Sequence, residues 1–154
     1  MNHKVFILPL LMTALFTSCS PAQSESKNDR TVSEYVIDES QKILWQDCLS
    51  QKEDHYLVFF YSDYCGHCHQ IMGDVLAFSN DNIVKLYFLD VKDPDNEVTI
   101  SNAIDETIGK SNVDDLCIAG TPTIIEIEDQ IVKANVPGKE NCLSLLNELR
   151  LNNI

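Results

Sequence analysis

One junction in this chain restricts its possible folds more than any other feature. His55-Tyr56-Leu57-Val58-Phe59-Phe60-Tyr61 is an unbroken aromatic and β-branched run without apolar/polar alternation, the pattern of a strand covered on both faces. Ser62-Asp63-Tyr64 then leads into Cys65-Gly66-His67-Cys68-His69, after which Ile71, Met72, Val75, Leu76 and Phe78 follow at helical spacings. The junction therefore reads as a central strand, a tight turn and a helix opened by two cysteines. With 154 residues, 44% of them apolar, the chain is long enough for one domain with its own core.

The rest of the domain is read around that junction. A short strand is expected near Tyr35–Ile37, then an amphipathic helix from about Glu39 to Gln51 with Leu44 and Cys48 one turn apart. Ile83 to Leu89 reads as a second buried strand, closed by Asp90 and the Asp93-Pro94-Asp95 turn signal. Parallel strands joined through the helix would make a right-handed crossover. Ile100, Ile104 and Ile108 recur every four residues and predict a helix from about Glu97 to Ile108, stopped at Gly109. Ile124 to Ile127 and Ile131 to Val136, separated by Glu128-Asp129-Gln130, predict a hairpin. Cys142, Leu143, Leu145, Leu146 and Leu149 place an apolar stripe on a last helix. The expected order is β-α-β-α-β-α-β-β-α.

Two cysteines one helical turn apart can close a disulfide, because their Cα atoms fall within bonding range. Free N–H groups and the macrodipole at the helix N-terminus favour an anion. Cys65 is thus expected to have a lowered pKa and to be the attacking thiolate, with Cys68 as the resolving thiol.

Strand, Cys-Gly-His-Cys, helix, a later Thr121-Pro122 opening a hairpin, and a terminal helix together resemble the thioredoxin family over about residues 33–152. The resemblance implies a thioredoxin-like α/β fold, a central mixed sheet flanked by helices. It also implies a thiol–disulfide oxidoreductase that uses no cofactor and no metal. The Gly66-His67 pair is similar to that of protein disulfide isomerase, which implies that His67 stabilises the thiolate and makes the disulfide more oxidising than a Gly-Pro pair does. Thr121-Pro122 matches the family's cis-proline site, where the residue before the proline offers backbone hydrogen bonds to an extended substrate. By the same resemblance Tyr64, Gly66, Thr121 and Pro122 are the expected substrate-binding residues, beside catalytic Cys65, Cys68 and His67. Three positions depart from the family pattern. Tyr64 stands for a tryptophan, His69 for a lysine, and Phe59 for the buried acid that moves protons to and from the second thiol.

Other readings of the same residues differ in chemistry. Cys65-X-X-Cys68-His69 is also the attachment string of a c-type haem, but haem c domains are mostly helical and need a second axial ligand. Zinc held by Cys65, His67, Cys68 and His69 would crowd one turn and lacks a second ligand pair elsewhere. A non-catalytic binding module and a membrane-tethered reductase keep the fold and change the use of the dithiol. Among the other cysteines, Cys48 and Cys142 fall on apolar stripes and read as buried small hydrophobes. Cys117 lies just before Thr121-Pro122 and is a candidate regulatory thiol or disulfide partner.

Residues 1–18 read as an export signal: Lys4 makes a basic start and Val5–Phe16 an apolar run of twelve, too short to span a bilayer. Leu15-Phe16-Thr17-Ser18-Cys19 resembles the lipobox of bacterial lipoproteins, with Phe16 in place of the usual leucine. This implies lipidation at Cys19, a tether over 19–31 and a domain over 32–154. The formal charge is −13, from 11 Lys and Arg against 24 Asp and Glu, which excludes unaided attraction to nucleic acid. The expected setting is the outer face of the bacterial cytoplasmic membrane. Cysteine-containing exported proteins and a membrane redox partner are the expected partners, and disulfide formation or isomerisation the expected direction.

Overall fold

In the computed structural model, residues 35–153 are described; the expected export signal, Cys19 and the expected tether lie outside them. Strand β1 (His55–Tyr61) is the centre of the molecule, with six of its seven residues buried. It pairs in parallel with β2 (Lys85–Asp90) and antiparallel with β3 (Thr123–Glu128), and β3 pairs antiparallel with β4 (Ile131–Pro137). The sheet is therefore mixed, in the order β2-β1-β3-β4. Helix α1 (Gly66–Asp81) connects the two parallel strands, and α2 (Lys139–Asn152) follows the hairpin.

Alternation along β1 divides the core in two. Leu57, Phe59 and Tyr61 point to the helical side, where Cys68, Ile71, Met72, Val75 and Phe78 of α1 meet Cys142 and Leu146 of α2. Tyr56, Val58 and Phe60 point to the other side and pack with Trp45, Cys48, Leu49, Leu116 and Ile118. A strand covered on both faces has no solvent side to keep polar. The hairpin turns through Asp129 and Gln130, both at positive φ (54° and 62°), the conformation a two-residue loop needs to match strand twist.

The thioredoxin-like architecture has fewer regular elements than the sequence pattern predicts. No strand forms at Tyr35–Ile37. The Asp38 carboxylate accepts from the Ser40 N–H at 2.8 Å and starts a 3-10 turn at Glu39–Gln41, a local bond that competes with extended backbone. The expected helix from Glu39 to Gln51 is two 3-10 turns, Glu39–Gln41 and Trp45–Asp47, separated by extended residues. Between them the Ile43 N–H donates to the Phe88 carbonyl (3.0 Å), so its bond goes to the outer edge of β2 and not to a preceding turn. The expected helix from Glu97 to Ile108 is also absent. Ile118 N–H donates to Thr99 and Ser101 N–H to Ile118, leaving one 3-10 turn at Ile104–Thr107. Ile100 and Ile108 are exposed, so the four-residue spacing marks no buried stripe.

Candidate active site

Tyr61 ends β1, and the chain reverses within three residues. Buried Ser62 holds the turn twice: its carbonyl accepts from the Cys65 N–H and its Oγ from the Tyr64 N–H, each at 3.1 Å. Cys65 is the N-cap of α1, and its Sγ accepts from the Cys68 N–H at 3.1 Å. A hydroxyl or carboxylate commonly makes that bond at a helix start; here sulfur makes it. Cys65 and Cys68 are joined by a disulfide, with Cα atoms 5.2 Å apart. The Cys68 sulfur belongs to the helical-side core and is fully buried, whereas Cys65 is half-buried and Gly66 and His67 are exposed. One sulfur faces solvent and the other faces hydrocarbon.

His69 braces the turn from the helix side. Its Nε2 lies 2.8 Å from the Asp63 carbonyl, and because a carbonyl only accepts, that nitrogen carries the proton. The Thr121–Pro122 peptide bond is cis. Pro122 is buried and its carbonyl accepts from the Gly138 N–H at 2.8 Å, while Thr123 Oγ1 donates to the Gly120 carbonyl at 2.7 Å. These bonds fix the loop from the hairpin side and leave Thr121 facing the dithiol.

The resulting cavity is about 350 Å³ and is lined by Ser62, Tyr64, Cys65, Gly66, His67, Lys92 and Thr121. Tyr64 is 88% exposed, an aromatic plate at the rim. A side chain at Gly66 would meet nothing within 4 Å, so approach to Cys65 is open. Of the expected site residues, Cys65, His67, Tyr64, Gly66 and Thr121 converge here, Cys68 lies beneath them, and Pro122 supports Thr121 from the interior. A larger hollow of about 620 Å³ between Trp45, Pro94, Glu97 and Asp114 contains no thiol. Chemistry, not size, selects the site. Ser62 and Lys92 join the site without being among the residues expected from the sequence. The signal for Lys92 was its place two residues past the end of β2, since loops at the carboxyl ends of parallel strands converge at sites in α/β sheets.

Phe59, the position at which the family resemblance leads one to expect an acid, shares the helical-side core with Cys68. It is fully buried, stacked with Tyr61 at 6.2 Å and edge-on to Phe88 at 6.1 Å. The buried polar side chains among the described residues are Ser62, Ser79, Thr107 and Thr123, and no carboxylate is with them. Asp90, opposite Tyr61 in the β1–β2 register, is only half-buried; desolvation pushes its carboxyl up, and the neighbouring Asp63 and Asp93 add to that. Burial pushes the Tyr61 phenol up to about 12, with Asp90 and Asp63 again contributing.

Cys48 and Cys142 are fully buried and free, and Cys142 Sγ donates to the Val136 carbonyl at 3.3 Å. Cys117 is also free and buried, and its carbonyl accepts from Asn135 Nδ2 at 2.8 Å. Among the described residues, no group of three or more His, Cys, Asp and Glu side chains is arranged around a common metal position.

Residues 35–150 match the sequence profile of the family described as Thioredoxin. The chain belongs to the thioredoxin family. A thioredoxin-family chain with its Cys65–Cys68 pair joined at the start of α1 is a thiol–disulfide oxidoreductase. Among solved structures it is similar to mitochondrial thioredoxin 3 of Saccharomyces cerevisiae, at 16% identity over 71% of this chain and 92% of that one, with a TM-score of 0.49. Thioredoxin f2 of Chlamydomonas reinhardtii is 18% identical over 70% of this chain and 93% of its own, with a TM-score of 0.46. Spinach chloroplast thioredoxin f is 14% identical over 71% and 85%, with a TM-score of 0.48. No curated protein matches the chain by sequence.

Proposed function

We propose that the protein exchanges disulfides with cysteines of exported proteins and works as an oxidant or isomerase. The observation that carries this reading is the asymmetry of the dithiol. Cys65 is open to a cavity that Thr121 also lines, whereas Cys68 is buried in the apolar core that includes Phe59. A substrate thiolate attacks Cys65 Sγ, the bond to Cys68 breaks, and Cys68 leaves as a thiolate that takes a proton from water. The substrate's second thiolate then attacks the substrate sulfur of the mixed disulfide and releases Cys65. Two electrons have passed from substrate to enzyme, and a membrane redox partner removes them in turn. In isomerisation, a Cys65 thiolate attacks a wrong substrate disulfide and is later displaced by another substrate thiol, with no net transfer of electrons.

The helix N-terminus and the Cys68 N–H both stabilise a Cys65 thiolate. In this role Cys65 is the nucleophile, Cys68 the resolving thiol and His67, exposed beside them in the first turn of α1, the residue that further favours the thiolate. Tyr64, Gly66 and Thr121 receive the substrate chain. The direction rests on His67 and on Phe59, which closes the carboxylate route for the Cys68 proton. The redox potential tests it. A value near roughly −180 mV, that of protein disulfide isomerase, is expected; one near roughly −270 mV, that of thioredoxin, would make the protein a reductase.

Lys4, the apolar run Val5–Phe16 and Cys19 support export and lipid attachment, with Ser20–Arg30 as tether. Metabolic labelling with a palmitate analogue should mark the membrane-bound wild-type protein and not Cys19→Ala. Label retained in Cys19→Ala would rule the anchor out.

A further inference from the structure

We propose that Lys92 selects substrates whose reactive cysteine is flanked by an acidic side chain, an inference that rests on the oxidoreductase reading above. Cations are scarce in this protein, and the described ones are mostly neutralised. Lys42, Lys52, Lys133, Lys139 and Arg150 each lie within 4.0 Å of a carboxylate, and Lys85 sits over the Tyr87 ring. Of the described Lys and Arg residues, Lys92 and Lys110 remain with neither an ion pair nor an aromatic ring beneath them. Lys110 lies beside β4, where its carbonyl accepts from the Val132 N–H; Lys92 lines the cavity at Cys65.

Carboxylates are close to Lys92 in sequence, yet their bonds go to backbone. Asp90 Oδ1 accepts from the Lys92 N–H and Asp93 Oδ1 from the Asp95 N–H, each at 2.9 Å. The Val91 N–H donates to the Tyr61 carbonyl at 2.9 Å, and Asn96 Nδ2 to the Asp90 carbonyl at 2.8 Å. The loop is thereby tied down at both ends, and the Lys92 ammonium is left over. No carboxylate lines the cavity, in a protein with 24 of them. A substrate laid against Thr121 brings the residues flanking its cysteine over this cavity. An Asp or Glu there meets Lys92, and a Lys or Arg is repelled. The net charge of −13 opposes acidic substrates at range, but salt screens it beyond roughly 8 Å at physiological ionic strength. Once the substrate has docked, the near charge decides.

The test uses full-length oxidised protein and reduced cysteine peptides of one length, with Glu, Gln or Lys beside the cysteine. Comparing the Glu-to-Lys rate ratio between proteins cancels the intrinsic reactivity of each peptide. Lys92→Gln should lower that ratio roughly two- to fivefold, Lys92→Glu should lower it further, and Lys110→Gln should leave it at the wild-type value. The differences should shrink as salt is raised. Equal ratios in all four proteins would overturn the selection. So would a uniform rate change across the peptides, which would mean that Lys92 acts on Cys65 alone. A wild-type protein that exchanges with none of the peptides would overturn the oxidoreductase reading and this inference with it.

Discussion

The first turns of the two helices look alike and differ in chemistry. Cys68 is the third residue of α1 and Cys142 the fourth of α2; both are fully buried, and both face the same core over the sheet. What separates them is the residue that begins each helix. Cys65 caps α1 with its sulfur and offers that sulfur to solvent, whereas Gly138 caps α2 with no side chain at all. Cys142 therefore has nothing to pair with. Its thiol proton goes to the Val136 carbonyl, and burial pushes its pKa up to about 12. A buried cysteine near a helix N-terminus is thus not a redox centre by position alone. The macrodipole acts on both sulfurs, but desolvation outweighs it where no water reaches the sulfur. The redox unit requires one accessible sulfur and one sheltered sulfur within bonding distance.

The largest effect should come from removing the accessible sulfur. Cys65→Ser should lower thiol–disulfide exchange with insulin by roughly a thousandfold or more, with the far-UV circular dichroism unchanged. Cys142→Ala, made in the other first turn, should leave exchange per folded molecule within about twofold and cost on the order of 1 kcal/mol of stability in denaturant unfolding. Cys65→Ser with full activity would end the catalytic assignment. Cys142→Ala with an activity loss like that of Cys65→Ser would end the contrast.

The same contrast explains what could be read from sequence. The β1–α1 junction was legible because it is local: a run without alternation must be buried on both faces, and helical spacing begins at the cysteines. The hairpin was legible for the same reason. The apolar spacing of residues 39–51 and 97–108 is compatible with helices, while their backbone bonds go to distant partners. Ile43 bonds to Phe88, and Ser101 bonds to Ile118. Such bonds are tertiary, so no window of sequence contains them. In the site, Cys65, Cys68 and Thr121 declare themselves by residue type and motif. Lys92 does not, because a lysine in an acidic loop looks like a solvated charge until the ends of β1 and β2 and the cis-proline loop converge around it. Phe59 falls between these cases: its burial is legible in the sequence, and its stacking against Tyr61 and Phe88 is not.

A smaller effect sharpens the comparison through pH. An ordinary thiol titrates near 9, but Cys142 stays protonated in the fold until about 12, and burial pushes Cys48 up as well. Between those values the unfolded chain has lost the proton and the folded chain still holds it. The unfolded state then binds fewer protons, so stability falls as pH rises from 9 towards 12. Tyr56 and Tyr61, also pushed up to about 12 by burial, add to the fall once pH passes 10. The Cys65–Cys68 disulfide does not titrate, so the oxidised protein isolates the buried thiols. Urea midpoints at pH 9 and 10 should show Cys142→Ala losing less stability than wild type over that interval, by at most about 1.4 kcal/mol per pH unit. An equal loss in both proteins would mean that Cys142 titrates alike in the folded and unfolded chain. Burial would then no longer distinguish the first turn of α2 from that of α1.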